Sequence, residues 1–271
     1  MIDELFSDFY GMAQSLAFEP YGILDSSDRI YTLGTDSKII GRIFEMFVQP
    51  ILEDIAIKHG MVLETPSSQT TYPDFILSYK DKKKNKIAID VKTTYRNSPH
   101  DKIGYTLGSY GSYMRNNVKN IEYTYDSYDY HLVIGFVYYR NDSAQSSNCY
   151  LYENRSEINF PFFGVEYFIQ EKYKIAGEKP GSGNTENIGS FPTSSIDDLK
   201  NGVGPFSRYG KDIYDIYWKY YPKYRSVSIS YRNLDEFFAW LVDNIDEVHL
   251  FHEIDRDEIL KRAKRLYQKA A

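Results

Sequence analysis

The sequence predicts an α/β protein, a mixed β-sheet flanked by helices with a helical C-terminal region. Three observations predict it. Two β-prone runs, 75–79 and 87–91, flank a polar, basic turn and read as a hairpin. The run His131–Tyr139 (HLVIGFVYY) is apolar enough for a buried, central strand. Helical periodicity lies before these strands, in 37–59, and after them, in 234–245 and 254–267.

Taken in order, residues 3–17 suit an amphipathic helix with Leu5, Phe6, Phe9, Met12 and Leu16 on one side. Ile23 and Ile30-Tyr31 suggest a short turn or hairpin. Asp36 can cap a helix that runs to about His59 and stops at Gly60, with Pro50 as a kink point. Its apolar positions, Ile39 to Ile55, are too many for one narrow stripe, so it should be largely buried, with width enough to meet a second subunit. Met61–Leu63 reads as a strand and 65–71 as a polar loop. Arg115–Asn120 is a basic helix end or turn, and 141–148 a polar loop. Gly164–Gln170 and Tyr173–Ala176 add strands, and 181–190 is a glycine- and asparagine-rich loop. From Ser207 the chain is aromatic and helical. The division expected is 1–205 for the core and 206–271 for a helical region, with no composition break between them.

In bulk, 271 residues with 42% hydrophobic content can bury a core. No apolar segment is long enough for a membrane span, and the acidic start Met1–Leu5 is unlike a signal peptide. The lone Cys149 excludes an internal disulfide framework and a cysteine-based zinc site. A cytoplasmic protein is expected. The net charge of −6 is unevenly spread: 72–120 carries ten Lys/Arg against four Asp. Such a local basic stripe can hold a polyanion on an otherwise acidic protein, although 82–84 alone read as a solvated turn.

The chemistry lies at one end of the hairpin. With the turn near residue 82 or 83, paired positions sum to about 164–166. Asp74 then falls opposite Asp90 and Lys92, which share one face of their strand. Pro73-Asp74 followed by Asp90-x-Lys92 is the spacing of a metal-dependent phosphodiesterase. Hard carboxylate oxygens suit Mg²⁺, and a lysine beside the ion can position water or stabilise the transition state. The competing reading is an ordinary salt bridge at a sheet end. Glu45 reads on residue pattern as the polar edge of its helix. The histidines lack zinc-protease spacing, and the glycine-rich loop lacks the Gly-Lys-Ser/Thr of a P-loop.

Several stretches then recur together and in order: 43–45 (IFE), 55–60 (IAIKHG), 72–75 (YPDF), 86–95 (KIAIDVKTTY), 115–117 (RNN), 119–121 (KNI) and 181–185 (GSGNT). On these the chain resembles the EcoRV family of type II restriction endonucleases, within the PD-(D/E)xK nuclease superfamily, from about residue 20 to 190. The resemblance implies a restriction-endonuclease-like fold and a homodimeric, Mg²⁺-dependent enzyme that cuts palindromic duplex DNA to blunt ends. It implies Asp74 and Asp90 as metal ligands, Lys92 as the third catalytic residue and Glu45 as an auxiliary ligand. Gly181, Ser182, Gly183, Asn184 and Thr185 become the major-groove recognition loop, with Asn184 the best adenine reader. Gln69 matches a minor-groove loop, and Thr93, Ser112 and Lys119 match positions near the DNA backbone. The sequence departs from the family at Thr70, Thr71 and Glu186. The implied target is GATATC, cut at its flexible central TA step. Two rival readings are a repair or structure-selective nuclease on the same scaffold and an inactive DNA-binding module.

Overall fold

A computed structural model describes residues 1–80, 85–181, 186–223, 226 and 229–270, with side chains as far as 265. Its centre is a five-stranded sheet ordered β3 (Val62–Glu64), β4 (Phe75–Ser78), β5 (Lys86–Tyr95), β7 (Tyr128–Arg140) and β9 (Phe162–Glu171). β5 and β7 run parallel and the other neighbours antiparallel, so the sheet is mixed as expected. The apolar run beginning at His131 is interior, between β5 and β9, while β5 takes the middle place.

Alternation along β5 divides the molecule into layers. Ile87, Ile89 and Val91 pack on the side of α1 (Ile2–Ala13) and α2 (Ser37–Lys58), joined by Phe9, Phe44 and Phe136. Phe44 stacks on Phe136 with ring centroids 4.3 Å apart. Asp36 caps α2 by accepting from the Lys38 and Ile39 amides, and Gly60 follows its end with φ +66°. The helix is less uniformly buried than its composition suggests: Ile40, Phe44, Val48 and Ile51 face the core, whereas Ile39, Met46 and Ile57 are exposed. α1 ends at Ala13 rather than near 17, although Leu16 and Phe18 still pack against this core.

The opposite face of β5 carries Ala88, Asp90 and Lys92. Ala88 joins a second core containing Val133, Phe168 and the buried residues of α4 (Ile196–Lys200), α5 (Lys211–Tyr220), α6 (Leu234–Asn244) and α7 (Arg256–Ala270). These helices thus pack over the same face of the sheet that presents the acidic pair.

Two small sheets flank the large one. β1 (Ile23–Leu24) and β2 (Arg29–Leu33) form the expected hairpin, and β8 (Ser146–Leu151) pairs with β2. β8 begins inside the segment read as the 141–148 loop. The other small sheet joins β10 (Ala176–Pro180), β11 (Asn187–Ser190) and β6 (Thr106–Ser109). Two corrections fall here. Residues 173–175 are not a strand but most of α3 (Lys172–Ile175), a single turn that buries Lys172 and Ile175 three positions apart. One turn is too short to reveal a helical period, and the alternation of Lys172 and Lys174 with Tyr173 and Ile175 imitates a strand. The loop read over 181–190 also ends earlier, because 187–190 form β11. Gly189 permits this: a Cβ there would lie 3.0 Å from the Lys179 carbonyl and 3.1 Å from the Gly181 Cα.

Candidate active site

β4 and β5 pair in unbroken register, Phe75 with Ile89, Ile76 with Ala88 and Leu77 with Ile87. Asp74, one residue before β4, therefore lies beside Asp90, and the expected trio meets. The Asp74 Oδ2 accepts from the Val91 amide at 2.7 Å. Lys92 Nζ donates to Asp90 Oδ1 at 2.7 Å and to the Val91 carbonyl at 3.3 Å, and stands 3.8 Å from Asp74 Oδ2. Asp90 is buried, whereas the side chains of Asp74 and Lys92 are 27% and 26% exposed.

A fourth charge, absent from the sequence reading, completes the cluster. Lys172 Nζ lies 3.6 Å from Asp90 Oδ2 in a side chain only 3% exposed. It donates to the Tyr113 hydroxyl at 3.5 Å and sits over the Tyr72 ring, 4.0 Å from its centroid. Behind it the Tyr72 hydroxyl bonds His131 Nδ1 at 2.8 Å, and the Tyr125 ring stacks on His131. Tyr125 donates to Asp215 Oδ1 of α5 at 2.7 Å, and Lys211 holds the other oxygen at 2.5 Å.

These contacts push the ionisations apart. Burial, then the Asp90 charge, raises Asp74 to about 7, against the lowering pull of Lys92. Burial also opposes ionisation of Asp90, but the Lys92 and Lys172 charges prevail and lower it. Lys92 is desolvated, yet the charges of Asp90 and Asp74 hold its pKa above the ordinary lysine value. Burial pushes Lys172 down to about 8 despite Asp90.

Asp74, Asp90 and Lys92 open onto a cavity of about 490 Å³, with Gln69, Ser112, Lys119 and Glu186 on its other walls. Ser112 donates its hydroxyl to the Lys119 carbonyl at 2.7 Å. Glu45 lies elsewhere: it pairs with Arg42 and lines a neighbouring cavity of about 450 Å³, which it shares with Asp74 and Gln69. Thr93 is on the opposite face of β5 from Lys92, with Oγ1 turned towards Gly41 of α2. Gly181 lines a third cavity, of about 690 Å³, at the base of β10 and β11. Ser182, Gly183, Asn184 and Thr185 lie outside the described residues.

Asp74 and Asp90 offer hard oxygen donors at one wall. Among the described residues no three His, Cys, Asp or Glu side chains converge as a cage. That donor set fits a hard cation completed by water and phosphate oxygens, the usual coordination of Mg²⁺.

Glu186 is anchored rather than projecting. Its carbonyl accepts from the Tyr110 amide at 2.8 Å and from the Ser109 hydroxyl at 3.1 Å. Its carboxylate lies 3.5 Å from Arg115 and fills the space a Cβ at Gly111 would need.

A family profile described as restriction endonuclease EcoRV matches residues 14–242. The chain is 42% identical over 226 residues to the type II restriction enzyme EcoRV of Escherichia coli, covering 83% of this chain and 91% of that one. This chain belongs to the EcoRV restriction endonuclease family. As an EcoRV-family member it is a type II site-specific deoxyribonuclease, and its substrate is DNA. The family match continues into α6, past the point near 190 where recognisable motifs give out. Among solved structures, the NlaIV restriction endonuclease aligns with 99% of this chain and 87% of its own, at 13% identity and a TM-score of 0.39. No helix among the described residues is long and apolar enough to cross a membrane.

Proposed function

We propose that this enzyme is an Mg²⁺-dependent homodimer that acts in the cytoplasm on palindromic duplex DNA, cutting GATATC at its centre to leave blunt ends. The convergence of Asp74, Asp90 and Lys92 on one cavity wall carries the reading. Asp74 and Asp90 hold the ion in this account, with Glu45 as an auxiliary ligand on the far side of Asp74. When bound, Mg²⁺ supplies charge neutralisation at the scissile phosphate and a hydroxide nucleophile at neutral pH.

The protein's own groups do the rest. The Val91 amide fixes Asp74 by donating to Oδ2. In the ion-free fold the charges of Asp90 and Asp74 favour the protonated form of Lys92, from which it can donate to water or to the phosphate oxygens. Gln69 and Lys119 line the same cavity, which supports assigning them minor-groove and DNA-backbone contacts. Ser112 has committed its proton to the Lys119 carbonyl, so it orders that turn and offers DNA an acceptor only. Thr93, which lies on the α2 face of β5, is assigned a DNA-backbone contact on the family resemblance alone.

Recognition is assigned to Gly181, Ser182, Gly183, Asn184 and Thr185. Glu186, the departure most able to change the target, turns its carboxylate to Arg115, which lessens its repulsion of phosphates and favours the family target. The homodimer reading is supported by the apolar surface of the small β1–β2–β8 sheet, where Ile23, Leu24, Leu151 and Tyr152 are exposed. A two-fold dimer would match a palindrome and give each strand its own cutting site.

The test is digestion of a plasmid carrying one GATATC. Mg²⁺ is expected to give a single blunt-ended linear product, lost with Ca²⁺ and in Lys92→Ala. Cutting at another hexamer would overturn the target, cutting only at nicks or branches would indicate a repair nuclease, and binding without cutting would indicate an inactive module.

A further inference from the structure

We propose that the charge of Lys172, acting through Asp90, keeps the divalent-ion affinity of the free enzyme low, so that firm ion binding waits for a substrate phosphate. The proposal rests on the reading of Asp74 and Asp90 as ion ligands. Lys172 does not line the cavity that Asp74 and Asp90 face, so it acts through Asp90 rather than on DNA.

The geometry is that of a clamp. Lys92 takes one oxygen of Asp90 at 2.7 Å, and Lys172 stands 3.6 Å from the other. Lys172 is itself held by the Tyr113 hydroxyl and the face of Tyr72, whose rings stack 4.5 Å apart. Gly108 makes room for this: a Cβ there would collide with the Tyr113 hydroxyl and lie 3.7 Å from the Lys172 amine. Packing alone does not account for the amine, because burying an ammonium costs free energy that an apolar side chain of similar length would not incur.

Charge supplies the reason. When all four groups are ionised, Asp74 and Asp90 are balanced by Lys92 and Lys172. Such a cluster has no net attraction for a divalent cation. Without the Lys172 charge it would be net negative, as it also becomes when a phosphodiester enters. Lys172 therefore ties ion capture to the arrival of DNA.

The test is Mn²⁺ titration of the DNA-free protein, read by the electron paramagnetic resonance of free Mn²⁺. The wild type is compared with Lys172→Met, Lys172→Gln, Lys172→Arg and Asp90→Ala, with folding checked by thermal melts. Either neutral variant that folds is expected to bind Mn²⁺ about tenfold more tightly, as follows from removing a cation beside the ligand. Lys172→Arg should match the wild type. A merely structural prop would give the opposite sign, because a loosened Asp90 binds less well. A folded neutral variant that binds no more tightly than the wild type overturns the proposal alone. Wild-type binding that survives in Asp90→Ala overturns the ligand assignment, and the proposal with it.

Discussion

β4 and β5 pair without interruption, whereas β10 and β11 meet at Ala176–Ser190 and Pro180–Ile188 with a register shift between. The first hairpin is buried on both faces and carries the acids and Lys92. The second is rich in glycine and frames the segment assigned to DNA recognition. Its base closes through the Gly181 amide on the Asn187 carbonyl at 2.8 Å, and through Glu186 on the turn after β6. The contrast separates two requirements. Phosphodiester chemistry needs groups held to a fraction of an ångström, which a rigid ladder provides. Reading a groove needs backbone that can approach bases closely, which glycines allow but long-range contacts must hold in place.

Substitutions can break this contrast, and the largest effect is expected at the first hairpin. Lys92→Ala or Asp90→Ala should lower the single-turnover cleavage rate by about 10³-fold or more, the scale of losing a transition-state donor or an ion ligand. The rate in quenched-flow with the wild-type melting curve as control checks it.

Next in size is Gly111→Ala, which forces a methyl into the space of the Glu186 carboxylate. Overpacking of this kind costs about 1–3 kcal/mol. Cleavage should fall while the ion affinity of the free protein stays unchanged, since Asp74 and Asp90 are untouched; calorimetry and ion titration together separate the two hairpins.

The pH dependence is smaller. Asp74 has its folded-state pKa raised to about 7 from the ordinary 3.8. The ion-free fold thus favours the protonated acid, and that contribution is full below about pH 4 and is lost as pH rises towards 7. A cation must displace this proton, so ion affinity should weaken by up to about tenfold per unit as pH drops below 7. Mn²⁺ titrations from pH 5.5 to 8 check the slope, which Asp74→Asn should flatten.

The smallest effect is expected for Glu186→Gln. It keeps the shape but removes one charge of a partly exposed pair, worth about 1 kcal/mol or less. Cleavage of GATATC should change by less than about fivefold. A shift in preferred sequence would show that the carboxylate reads a base.

These differences explain what was legible in the sequence. Asp74, Asp90 and Lys92 could be brought together on paper because turn length and the two-residue period of a strand fix their register locally. Asp36 and Gly60 marked the ends of α2 because a side-chain cap and a positive-φ glycine are likewise local signals. Lys172 could not be found this way. Its depth depends on one helical turn after β9 and on Tyr72 and Tyr113, which are far away in sequence. Glu186 could be flagged as a departure, but its partner Arg115 is 71 residues away, and no periodicity relates them. From Ser207 the sequence shows only aromatic, helical periodicity, which gives those helices no role. In the fold Asp215 of α5 ties to Tyr125, whose ring stacks on His131 beneath the Lys172 cage.

The most direct test of the central claim is single-turnover cleavage of a GATATC duplex by the wild type and by Asp74→Ala, Asp90→Ala and Lys92→Ala across a Mg²⁺ titration. The account predicts Mg²⁺-dependent cutting at the central step by the wild type, with each variant slowed by about 10³-fold or more while still binding the duplex. Wild-type cutting without a divalent ion, or undiminished cutting in any of the three variants, would contradict it.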